Sequence, residues 1–285
     1  MTTNVRTIKW EFAAKFIRSK SAVTGLIVVV VLVFMAIMAP YISPFPSDSM
    51  DFSSMMSPPG VNGHLMGTDQ YGRDILTRIL YGSRISLMVG IVAVGIGAGF
   101  GILLGVIAGY FGGILDALIM RVVDAMLSFP YILLAIAMMA MLGPGLFNAM
   151  LAIGIVMTPN FARIVRGNVL SVKEEEFIVA SKILGASNSR IIASHILPNI
   201  LHIIIVYGSL NFAGAIISEA TLSFLGIGIQ PPTPSWGSML RDAQSYLQVD
   251  PYMSIFPGTA ILISSLGFNL LGDGLRDILD PRLNI

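Results

Sequence analysis

Few side chains in this sequence have a type and spacing suited to chemistry, and none completes a reactive set. Residues 67–74, Gly-Thr-Asp-Gln-Tyr-Gly-Arg-Asp, set two glycines five apart ahead of a basic residue, as a phosphate-wrapping loop would. Arg73 stands where that loop needs lysine, Asp74 where a Ser or Thr would hold magnesium, and no buried strand precedes them. His64, His195 and His202 are scattered, without a His-Glu-x-x-His, and Pro198 between the last two argues against a shared ligand face. No Gly-x-Ser-x-Gly elbow occurs, and with no cysteine the chain offers neither disulfides nor thiolate ligands. No catalytic residue and no metal site is therefore expected. Glu219 is the one carboxylate well inside its apolar run. Intramembrane carboxylates are costly and face a cavity or a partner. Glu219 is expected either on a translocation path or as a structural carboxylate bonded to backbone or an arginine, and the two readings weigh equally. Asn211 is a second, weaker path candidate, since asparagine also joins helices.

The stretch that stands apart is 174–198, a charged insert between two long apolar segments. Glu174, Glu175 and Glu176 suit the positive end of a helix dipole. Phe177, Ala180, Ser181 and Leu184 then recur at helical spacing. Gly185 permits a reversal, Ser187 or Asn188 can cap a second helix to about Leu197, and Pro198 is expected to end it so that the chain turns. Two short helices joined by a glycine elbow at a membrane surface form a docking device.

The elements that must hold this insert are membrane spans. Of 285 residues, 55% are hydrophobic and only 12% charged, about half the charge of a soluble domain; the mean hydropathy is +0.81. The class is an all-α polytopic membrane protein in a lipid bilayer. Net charge is +1, and basic residues cluster by loop and not by face, which argues against nucleic-acid binding. Residues 1–21 read as a basic amphipathic helix on the inner membrane surface. About six spans follow, over 22–39, 85–110, a third from about Asp124 to Leu142, 146–164, 200–225 and 253–271. Residues 22–84 comprise the first span, a proline-rich external loop and an interfacial helix, in which Ile75, Leu76, Ile79 and Leu80 dip into lipid while Arg73, Thr77 and Arg78 face water. Residues 85–285 form a core of five spans that includes the inner loop 171–199. Arg121 and Asp124, three apart, can pair on a helix, and Pro159 with Asn160 is expected to kink the fourth span. With both termini inside, thirteen of the seventeen basic residues lie on the inner side, as the positive-inside rule favours. In the second span Gly97, Gly101, Gly105 and Gly109 recur every four residues, a small-residue ridge that lets another helix approach closely.

Ala180-Ser-x3-Gly185, with Leu197-Pro198, resembles the coupling loop of ABC-importer permease subunits, whose pattern is Glu-Ala-Ala-x3-Gly-x9-Ile-x-Leu-Pro. Val179 replaces the glutamate, so Glu176 is expected to supply the acidic character, and His195 occupies the isoleucine position. Residues 64–84, 218–237 and 268–282 resemble signatures of the dipeptide/oligopeptide/nickel branch, while the first 60 residues carry no motif of their own. The resemblance implies a type I importer permease fold in a bacterial or archaeal plasma membrane. It also implies a homologous second permease, two cytoplasmic ATPase subunits that bind ATP and magnesium, and an external solute-binding protein. This chain would hold no cofactor, and Glu176, Phe177, Ala180, Ser181, Leu184, Gly185, Leu197 and Pro198 would form its coupling surface. The rival is an ATPase-independent channel or ion-coupled carrier, which would need intramembrane charges beyond Glu219.

Overall fold

The computed structural model describes residues 14–279. Among them there is no β-strand, and extended pairing is limited to isolated bridges of Val61 with His64 and Thr68 with Asp74. Residues 14–18 are helical; the rest of the expected N-terminal helix, residues 1–13, lies outside the described residues. The Ser19 hydroxyl accepts from the Ala22 N–H and starts α1 (Lys20–Ile42). Then come α2 (Ile75–Phe111), α3 (Gly113–Leu127), α4 (Tyr131–Leu142), α5 (Leu146–Lys173) and α6 (Glu176–Ile183). The chain closes with α7 (Asn188–Ile191), a π-turn at Ile192–Ile196, α8 (Leu197–Phe224), α9 (Trp236–Ala243) and α10 (Tyr252–Leu279).

Five helices are long and apolar enough to cross a bilayer: α1, α2, α5, the continuous Asn188–Phe224 and α10. Where the sequence predicts an inner turn near Asp116–Asp124 and a third span running to Leu142, the structure has a bent pair of helices, α3 and α4, which meet at 95°. Pro130 is the reason: its φ of −55° and ψ of 130° suit a residue that opens a helix, and it cannot extend α3 with bonds intact. The 12 residues of α4 reach about 18 Å, little more than half of the hydrocarbon thickness. Asp124 does not pair with Arg121 along this helix either. It binds Arg163 on α5 at 2.5 Å, and Asp116 takes Arg166 in a two-pronged contact at 2.5 and 2.6 Å. These bonds moor the elbow to α5.

The most extensive helix contact joins α2 to α5, and the glycine ridge lies along it. A Cβ on Gly101 would stand 2.3 Å from the Phe161 Cβ, one on Gly97 2.8 Å from the Met157 Cβ, and one on Gly105 2.6 Å from the Ala162 carbonyl. A methyl on Gly109 would meet Val169 at 2.9 Å, and from the other side one on Gly154 would meet Ile96 at 2.7 Å. The backbones touch because side chains are missing on both partners. A second such seam joins α1 to α10, where Gly25 lies against the Leu271 backbone, Gly267 against Val28 and Gly274 against Ala22. Pro159 sits inside α5, and the Thr158 hydroxyl donates to the Gly154 carbonyl beside it.

At the end of the bundle away from residues 174–198, the chain 43–74 and helix α9 form a folded cap. The interfacial helix expected here is instead the first turns of α2, and it is enclosed by protein. Ile75, Ile79 and Leu80 are buried, and so are Arg73, Thr77 and Arg78. The arginines leave water because carboxylates and carbonyls meet them. Arg73 Nε donates to Asp69 at 2.6 Å and Nη2 to Asp242 at 3.3 Å, while Arg78 Nη1 donates to the Ser47 carbonyl at 3.2 Å. Asp74 caps α2 by accepting from the Thr77 N–H at 2.7 Å, and its other oxygen meets His64 Nδ1 at 2.9 Å. Trp236, at the start of α9, is buried against Gly82 and donates from Nε1 to the Ile79 carbonyl at 3.1 Å.

Candidate functional site

Residues 174–198 fold as two helical arms at the opposite end of the bundle. Glu174 closes α5, Glu175 precedes α6, and Glu176 lies in its first turn. One apolar side chain of α6 points inward: Ile178 is wholly buried with Ile191, Ile196, Val165 and Val169. The others face out. Phe177 is 43% exposed, Ile183 79% and Leu184 86%, with Val179 and Ala180 also exposed. An apolar patch of this kind, held in place by a buried anchor and edged by charges, has the character of an interaction surface.

The turn between the arms is fixed by backbone bonds. Gly185 has φ +79°; its N–H donates to the Lys182 carbonyl and that of Ala186 to Ser181, both at 3.0 Å. This pair of bonds is the Schellman closure, which calls for a left-handed residue. Nothing lies within 4 Å of where a Gly185 Cβ would project, so the position selects glycine for conformation and not for space. Ser181 Oγ donates to the Phe177 carbonyl at 2.7 Å, and the Phe177 ring meets His195 edge-on at 6.2 Å. The two arms thus touch one another.

The second arm does not stop at Pro198 as the sequence suggests. Helix runs unbroken from Asn188 to Phe224. The π-turn before Leu197 makes this possible, because the Leu197 N–H reaches back five residues to Ile192. Widening the helix by one residue there relieves the crowding a proline ring causes in an ordinary turn. Leu197 and Pro198 therefore lie within a continuous helix; Leu197 packs against the cluster that holds Ile178, while Pro198 is exposed.

The structure does not bring the two path candidates together. Asn211, half-buried on α8, donates to the Tyr207 carbonyl at 2.8 Å. Glu219 is fully buried; it accepts from Ser223 Oγ at 2.7 Å, and that oxygen accepts in turn from the Ile229 N–H at 3.0 Å. It ties the end of α8 to the turn that follows. A cleft of about 540 Å³ opens between α5, α8 and α10 at the loop end, with Asn168, Glu175, Asn199, His202 and Arg276 on its walls. Sequence reasoning passed over Tyr110 and Lys182 and read Asn188 only as a possible helix cap; the three connect the loop to α2. Their contacts join residues about 70–80 positions apart, and no local pattern marks them.

A bundle of membrane-crossing helices with an exposed, glycine-turned helix at one end defines a polytopic membrane protein that presents an interaction surface. Residues 101–285 match the family described as binding-protein-dependent transport system inner membrane component, and residues 10–59 match the N-terminal TM domain of oligopeptide transport permease C. The segment without a motif of its own is thus covered too. The dipeptide transport system permease protein DppC of Alkalihalophilus pseudofirmus is 49% identical over 275 residues, 96% of this chain and 90% of that protein. The glutathione transport system permease protein GsiD of Escherichia coli O6:K15:H31 is 45% identical over 280 residues, 98% and 92% of the two chains. GsiD of Pectobacterium atrosepticum is 44% identical over 281 residues, 98% and 93%. The chain belongs to the inner-membrane permease family of binding-protein-dependent ABC importers.

Proposed function

We propose that this chain forms half of the path of an ATP-driven importer for di- or oligopeptides or a related small solute such as glutathione. A homologous permease lines the other half, and an external binding protein delivers the solute. Residues 174–198 dock on one of two cytoplasmic ATPase subunits, which carry the ATP and magnesium. The loop end of the bundle, with both termini, then faces the cytoplasm, in line with the distribution of basic residues. The observation that carries this reading is the exposed apolar face of α6, presented from a turn closed by two backbone hydrogen bonds. Similarity over nearly the whole length to dipeptide and glutathione permeases supports the solute class. Along α8, Asn211 is the path-facing candidate, while the full burial of Glu219 favours its structural alternative.

The test is purification of the tagged chain from its native membrane in mild detergent, with Leu184→Glu alongside. The unaltered chain is expected to bring a second permease and ATPases with hydrolytic activity. A carboxylate in the apolar patch is expected to release the ATPases while leaving the permease pair intact, because burying an unpaired charge at an interface is prohibitive. Full ATPase recovery with Leu184→Glu would place the docking surface elsewhere. Recovery of the unaltered chain without any ATPase would favour a channel or carrier.

A further inference from the structure

Tyr110 lies in the last turn of α2, buried among Val106, Val165, Val169 and Ile196. It is remote in sequence from residues 174–198, yet both arms of the loop close on it. From the second arm, the first residue of α7 takes its hydroxyl: Tyr110 Oη donates to Asn188 Oδ1 at 2.8 Å. From the first arm, Lys182 at the end of α6 places its ammonium 5.6 Å from the ring centroid, over the face, within the range of cation–π attraction. One residue earlier, the Gly109 carbonyl accepts from Lys173 Nζ, at the end of α5, at 3.3 Å. Three different contacts, from three elements, converge on two consecutive residues of α2.

We propose that Tyr110 is the positioning residue through which movement of the loop is handed to α2. This rests on the proposed reading of the loop as the ATPase-docking surface. Chain connectivity joins α6 to α5 through the short turn at Glu174 and Glu175, and joins α7 to α8 directly. Nothing in the connectivity links either arm to α2. Tyr110 supplies that link, and because it holds Lys182 and Asn188 on opposite sides of Gly185, the two arms and the helix end must travel together. From there the glycine seam carries the displacement along α2 and α5 as one body.

The test uses the intact importer purified with its ATPases, with spin labels on this chain at Ser189→Cys in the loop and Leu103→Cys on α2; the chain has no cysteine of its own. Electron–electron distances are measured without nucleotide and with ATP plus vanadate, and hydrolysis is followed in parallel. The unaltered clamp is expected to give one narrow distance in both conditions while the mobility of the Ser189 label responds to nucleotide. Tyr110→Phe keeps the ring and loses the bond to Asn188, so a second, displaced population is expected to rise about fivefold under ATP–vanadate, the effect of one neutral hydrogen bond. Asn188→Leu is expected to reproduce it, the double variant to add nothing further, and Asn188→Asp to restore the single distance. A single distance in Tyr110→Phe and Asn188→Leu, with the loop label still responding, would overturn the role of Tyr110 alone. A loop label in the unaltered importer that ignores ATP–vanadate would overturn the docking reading, and this proposal with it.

Discussion

Adding one methyl group to Gly101 is the sharpest test of the α2–α5 seam. The new Cβ would stand 2.3 Å from the Phe161 Cβ and 3.0 Å from the Ala162 nitrogen. Carbon atoms settle at about 3.5–4.0 Å, so the helices must part by more than about 1 Å at this level. Being rigid, they part also at Gly97, Gly105 and Gly154, and lose contacts there as well. Overpacking of this kind costs about 1–3 kcal/mol. For a chain of this size that is a fall in melting temperature on the order of 5 °C. The control lies on the same helix. Gly95 and Gly99 have nothing within 4 Å of a projected Cβ, so Gly99→Ala is expected to leave the melting temperature unchanged or raise it slightly, as helix propensity favours. The assay is thermal melting of the detergent-purified chain, read by the loss of its monodisperse chromatographic peak. If Gly101→Ala and Gly99→Ala melt alike, the seam is looser than its geometry states and the packing argument falls.

Two further substitutions separate local effects from global ones. Gly185→Val forces a β-branched residue to φ +79° at a cost of about 1–2 kcal/mol. It is expected to leave insertion intact while lowering uptake per ATP hydrolysed, whereas Gly185→Asn, which tolerates that conformation, is expected to retain coupling; equal coupling in the two variants would contradict the Schellman assignment. Arg73→Met takes the closest guanidinium from Asp69 and Asp242 in the cap, leaving Asp69 with Arg78 at 3.8 Å and Asp242 with Arg241 at 3.6 Å, a loss of about 1–3 kcal/mol. Limited proteolysis is expected to cut the segment 43–74 faster, with the cleavage of residues 174–198 unchanged; unchanged cleavage of both would argue against the role of Arg73 in holding the cap.

The two-armed loop at 174–198, the small-residue ridge and most spans were legible in the sequence because each is a local pattern: charge against apolar background, period four, or a run of some twenty residues. What stayed hidden depends on partners distant in the chain. Arg73 and Arg78 look like water-facing residues until Asp69, Asp242 and the Ser47 carbonyl fold over them. Asp124 has a tempting neighbour in Arg121, and only the approach of α5 lets Arg163 claim it. Prolines misled in both directions. Pro130 breaks a span that its apolar flanks appear to continue, whereas Pro198, which reads as a stop, is carried by a π-turn that no composition rule signals. The α1–α10 seam was missed for another reason: Gly25, Gly267 and Gly274 come from two helices and form no repeat within either one.

The elbow between α3 and α4 also bears on the order in which the protein is made. Its carboxylates at Asp116 and Asp124 meet their arginines only after a further 50 and 39 residues have been synthesised. At 15 residues, α3 is too short to span the bilayer alone, and α4 is shorter still. Neither half has a finished resting place when it leaves the ribosome. The third span therefore takes its final pose once α5 is alongside, and this part of the bundle matures as a pair of neighbours instead of one helix at a time.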